Sequence, residues 1–170
     1  MNKRTKWFVS VGMGVLILSL VFNLLSFRHT HGLNVGARAE FIQGAGSLSQ
    51  GIHDYENGKN AAAQEQLTRG VYFLKASSYV MTQLGVTGVT GLGMYFDKAR
   101  EYLLSDSNAS QTQQGKHYEH VLEVFNSAFS PFYTMNYGSM NNSNLEQAVL
   151  KVYQAMTSQE RSQYEGWGVV

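Results

Sequence analysis

The sequence predicts an all-α protein: an N-terminal transmembrane helix followed by an exported antiparallel bundle of four to five helices. Three observations carry that prediction. Residues 7–27 form an apolar run without a charge, preceded by Lys3, Arg4 and Lys6. The 143 residues that follow hold a single proline, no cysteine and many good helix formers. Apolar side chains in that part recur at spacings of three and four, the signature of a helix with one buried face.

The apolar run comes first. At about 1.5 Å of rise per residue, residues 7–27 reach roughly 30 Å, the thickness of a bilayer's hydrocarbon core. Three cations on its short N-terminal side favour a cytoplasmic N-terminus, with residues 28–170 outside. The alternative is a secretory signal that is cleaved, leaving a secreted domain. Such signals have a shorter apolar core followed closely by a small-x-small site. Here the nearest such sites, at Ala37 and Ala39, fall some ten residues beyond the run. The sequence therefore favours a retained signal-anchor. No cysteine follows it, which excludes a bacterial lipoprotein anchor. The expected organisation is a cytoplasmic N-terminus (1–6), an anchor (7–27), a juxtamembrane linker (28–36) and an extracytoplasmic helical domain (37–170).

Within that domain a first helix is expected over 37–57, with an inward stripe of Ala39, Ile42, Gly46, Ser49 and Ile52 and with Gly58 as its stop. A second begins near Asn60. Leu67, Val71, Leu74, Ser78, Met81, Gly85, Gly88, Leu92, Tyr95 and Ala99 then hold one helical face for about nine turns. Four glycines within 84–93 weaken this helix, each by about 1 kcal/mol relative to alanine. Because the phase is unchanged on both sides, a continuous helix is expected rather than a break. Residues 76–96 are also uncharged, so a second membrane contact is an alternative, although serines, threonines and a glutamine interrupt the run. A third helix is expected over 111–129, where Tyr118, Val121, Leu122, Phe125 and Phe129 share an arc of about 60° on either side of Tyr118. Pro131 ends it. Ser143-x-x-Glu146 and Thr157-x-x-Glu160 have the spacing of capping boxes and should open a fourth and a short fifth helix.

Composition excludes several functions. Ten Lys and Arg stand against twelve Asp and Glu after residue 27, so the domain lacks the basic stripe of a nucleic-acid binder. Without cysteine there is neither a disulfide nor a thiolate nucleophile. Gly-x-Ser-x-Gly is missing, and the nearest run, 46–51, has helical rather than strand-turn-helix context. Histidines are the remaining chemistry. His53-x-x-Glu56 and His120-x-x-Glu123 reverse the Glu-x-x-His order of di-metal bundles, and His120 points away from the Tyr118 face. We therefore expect no catalytic, cofactor-binding or metal residue. Metal handling through His53, His117 and His120 is an alternative.

All ten tyrosines follow the apolar run. Residues 131–142 carry more aromatic surface than a connection requires, and Phe132, Tyr133 and Tyr137 are the candidate interaction surface. The sequence points to a non-enzymatic, membrane-anchored accessory or regulatory subunit that binds another envelope protein or a second copy of itself. A sensor-like, ligand-binding helical domain is the alternative.

Overall fold

Six α-helices follow one another, and among the described residues there is no strand: α1 (Lys3–Glu56), α2 (Asn60–Gln83), α3 (Val89–Ser105), α4 (Gln113–Phe129), α5 (Asn142–Ala155) and α6 (Ser158–Gly166). The computed structural model describes residues 16–26, 32–83, 85, 86, 88–105, 109, 111–138 and 140–163, and the backbone alone of 3–15, 27–31, 110, 139 and 164–166. The chain divides into two units, 1–33 and 34–170.

In the first unit, residues 16–26 are helical and exposed. Leu16, Leu18 and Phe22 are each at least 70 % exposed. Among the described residues no helix is long and apolar enough to cross a membrane. Of the expected anchor, 7–27, residues 16–26 are described in full and 7–15 and 27 by their backbone alone. The stretch 28–36, expected as a linker, has helical backbone within α1. Gly32 and Gly36 are isolated, and a single glycine weakens a helix without stopping it.

The second unit is a helical bundle. Its core is a continuous run of aromatic rings: Phe96 meets Phe125 at 4.6 Å, Phe125 meets Phe129 at 4.6 Å, and Phe129 meets Phe41 at 5.4 Å and Phe132 at 5.9 Å. The expected α4 face is the one used, with Tyr118, Val121, Leu122, Phe125 and Phe129 all buried. The seam of Leu67, Val71, Leu74, Ser78 and Met81 on α2, and of Leu92, Tyr95 and Ala99 on α3, is buried as expected.

The helix that carries this seam is not continuous. Gly85 and Gly88 adopt φ of 80° and 78°, and the chain reverses between α2 and α3. Gly85 N–H bonds to Thr82 O at 3.0 Å and Val86 N–H to Met81 O at 3.0 Å, the paired bonds of a Schellman stop. Phase was preserved because both arms of the hairpin face one core, and so periodicity could not detect the turn. Lys75 of α2 pairs with Asp97 of α3 across this hairpin, and Arg100, one turn further along α3, pairs with the same carboxylate. Replacing Gly85 by alanine forces a side chain into left-handed backbone. We expect a loss of about 1 kcal/mol, read as a lowered urea midpoint with unchanged helicity.

The first helix ends where expected. Gly58, at φ 71°, donates to Tyr55 O, and Lys59 N–H donates to Asp54 O. Of its expected inward stripe Ile42 and Ile52 are in the core, while Ala39, Gly46 and Ser49 are only half-buried; Phe41, Ala45 and Leu48 complete the buried face. The core contact of α1 is partly backbone on backbone. A Cβ built on Gly44 would lie 3.0 Å from Gly70 O, and one on Gly51 would lie 2.8 Å from Leu67 N. Counting apolar side chains misses a helix face made of glycine.

Two caps were read from sequence, and one of them moved. Thr157 and Glu160 form the reciprocal box: Glu160 N–H donates to Thr157 Oγ1 at 3.2 Å and Thr157 N–H donates to Glu160 Oε2 at 2.8 Å. At α5 the cap is Asn141, whose Oδ1 accepts from Ser143 N–H at 2.9 Å, so Ser143 lies inside the helix. Asn141, two residues earlier, supplies a carboxamide oxygen to the first turn in place of the serine hydroxyl.

Candidate functional site

One face of α1 carries Ala39, Ile42, Gln43, Gly46, Ser47 and Gln50, residues three and four apart and therefore aligned. With Gln66 and Arg69 of α2, and Tyr133 and Tyr137 of the connection after α4, they line an open groove of about 550 Å³. Small residues make room for it: Gly46 has no other group within 4 Å of a Cβ built on it.

The far wall is held in place by α1 itself. Arg38 is buried, and its guanidinium donates to Met140 O, to Asn142 Oδ1 and, at 3.5 Å, to Tyr137 O. All three acceptors are neutral. Such bonds anchor an otherwise irregular segment more firmly than neutral pairs would. Asn136 Oδ1 accepts from Gly138 N–H at 3.0 Å and shapes the 3-10 turn Tyr137–Ser139. Tyr133 donates its hydroxyl to Asn126 Oδ1 at 3.2 Å. Burial pushes Tyr133 up to about 12, against a small opposing effect from Ser49, so it remains a neutral donor.

Of the three residues proposed from sequence, the structure brings Tyr133 and Tyr137 to the groove and takes Phe132 away from it. Phe132 is buried against Phe129 and serves the core. The Ser130–Phe132 turn after Pro131 swings it inward. The α1 and α2 contributors, Gln43, Gln50, Gln66 and Arg69, are not legible in the sequence, where Ala39, Ile42 and Gly46 of the same α1 face read as core.

A second polar cluster joins α6 to the bundle. Glu160 is buried; its Oε2 accepts from His117 Nε2 at 2.6 Å and from Thr157 Oγ1 at 2.9 Å, and its Oε1 accepts from Tyr95 OH at 3.3 Å. Burial alone would raise this carboxyl. The Thr157 amide, His117 and the Thr157 hydroxyl outweigh that and hold it below the usual glutamate range. Tyr95 is pushed upward by burial and by the charge of Glu160. The cluster has the chemistry of a fastening: its acceptors are filled by the protein's own donors.

The three histidines do not converge. His53 is exposed beside Asn57, His120 is exposed at 4.0 Å from Glu123, and His117 is taken up by Glu160. Among the described residues, no group of three or more His, Asp or Glu is placed to hold a metal ion. Comparison with protein-family models, with curated proteins and with solved structures finds no match to this chain.

Proposed function

We propose that this chain is a non-enzymatic binding subunit, held at a membrane by residues 7–27 with its N-terminus cytoplasmic, whose groove docks a segment of another envelope protein. The observation that carries the reading is the groove itself: a concave, mixed polar and aromatic surface, walled by a connection that Arg38 pins down. Exposed Leu16, Leu18, Phe22, Leu24 and Leu25 support the membrane placement, since each gains about 1.5–3 kcal/mol on leaving water. The many amides of the lining favour a second reading, reception of a small polar ligand, because such sites are built from a few convergent polar groups.

The test is photocrosslinking in cells with the full-length protein, with a photoreactive residue at Gln50 in the groove or, as control, at exposed His120. Membranes are washed in alkaline carbonate before analysis. We expect the chain to stay in the pellet and Gln50 alone to yield one discrete adduct. Release by carbonate would remove the anchor. Identical patterns from both positions would remove the docking surface, and adducts of the chain with itself alone would identify the partner as a second copy.

A further inference from the structure

The groove's charge and spacing say more about its occupant. We propose that it takes an extended, carboxylate-bearing segment of a partner protein, with the acidic group on Arg69 and the main chain against Gln43 and Gln50. This deepens the docking reading and rests on it.

Charge comes first. Among the described residues that line the groove, Arg69 alone is charged at neutral pH and none is acidic. Among the described residues Arg69 forms no ion pair, and it is exposed. Its guanidinium carbon stands 5.6 Å from the centre of the Phe73 ring, a cation–π contact that limits its rotamers without using up its donors. A planar fork of this kind suits a carboxylate, which can accept two parallel bonds.

Spacing comes second. Gln43 and Gln50 lie on one face of α1, seven residues and so about 10.5 Å apart along the axis. An extended chain covers that distance in about three residues at roughly 3.4 Å each. A primary amide offers a donor and an acceptor together, which is what each peptide unit of an extended strand presents. Tyr133 and Tyr137 close the opposite side with surfaces that pack on aliphatic or aromatic side chains.

The experiment measures fluorescence anisotropy on the full chain in detergent micelles, with labelled heptapeptide pools that carry a fixed central Glu, Gln or Lys and are otherwise degenerate. The Glu pool should bind at least about tenfold more tightly than the Gln pool, as expected for a charge-assisted pair. Arg69→Gln should abolish that preference, and Arg69→Glu should transfer it to the Lys pool. Equal binding of the Glu and Gln pools, or a preference that survives Arg69→Gln, overturns the assignment to Arg69. Succinate that binds and depends on Arg69, with no pool binding, overturns the peptide occupant. If no pool binds although Gln50 crosslinks to a discrete partner, the carboxylate inference fails and the docking reading stands.

Discussion

Gly70→Ala should destabilise the helical domain by about 2–3 kcal/mol, although the same change in an unobstructed helix is favourable. A Cβ at this position would lie 2.7 Å from Leu48 Cγ, 2.8 Å from Leu48 N and 2.9 Å from Gly44 O. Two of these neighbours are backbone atoms of α1, so no rotamer change relieves the overlap and the two helices must separate. Overpacking of this kind costs about 1–3 kcal/mol and occasionally more, and it outweighs the gain of up to about 1 kcal/mol in helix propensity. Gly36→Ala is the control. Among the described residues beyond its own helical turn, nothing lies within 4 Å of a Cβ built there, so propensity acts alone and the substitution should stabilise. Urea unfolding followed by circular dichroism should lower the midpoint for Gly70→Ala and raise it for Gly36→Ala. Equal midpoints for the two variants would mean that α1 and α2 do not meet at this distance.

Glu160→Ala should cost about 3 kcal/mol at neutral pH, and most of that difference should vanish in acid. The substitution leaves the Thr157 amide, the Thr157 hydroxyl, His117 and Tyr95 without their shared acceptor; Thr157 can turn to water, whereas buried Tyr95 and half-buried His117 carry most of the cost, about 1–3 kcal/mol for a buried orphan. In the folded chain the carboxyl sits below its usual range, because its donors outweigh the burial that would raise it. A depressed folded value means that the stabilisation is complete above the unfolded value and is lost as pH falls through the folded one. Asp97 acts in the same direction: burial opposes ionisation, but Lys75 and Arg100 more than compensate. Urea midpoints of the unsubstituted protein should therefore fall below about pH 4, and the gap to Glu160→Ala should narrow there. A gap of the same size at pH 3 and pH 7 would show that the ionised carboxylate is not its source.

How much of this was legible in the sequence depended on whether side chains or backbone did the packing. The α4 face from Tyr118 to Phe129 could be read at once, because large apolar groups at helical spacing have nowhere else to go. The seam from Leu67 to Ala99 was equally visible, yet it concealed the hairpin at Gly85, since two helices folded onto one core keep the phase of a single long one. On α1 the inward face was legible only at Ile42 and Ile52. Part of its contact with α2 is made at glycine, which carries no hydrophobic signal, and buried Arg38 belongs to a residue type expected at the surface. The groove inherited that limit: Tyr133 and Tyr137 could be picked out as surplus aromatics in a connection, but Gln43, Gln50 and Arg69 could not. The pairing of His117 with Glu160 was hidden for a different reason. Glu160 is legible as half of a capping box, but nothing local reports its contact with His117 across 43 positions.

The glycine contact between α1 and α2 also bears on ancestry. At positions 44, 51 and 70 the space beyond the Cα is filled by main-chain atoms or by the root of a leucine, so drift there is closed off whatever happens on the surface. Gly58 and Gly85 are fixed separately, by backbone conformation. A diverged cousin of this chain would be recognised by that spacing, two glycines seven apart on the first helix, the earlier facing a glycine and the later a leucine on the second, with a glycine stop after each. Overall similarity could by then have faded entirely, while this short steric fingerprint would still be readable.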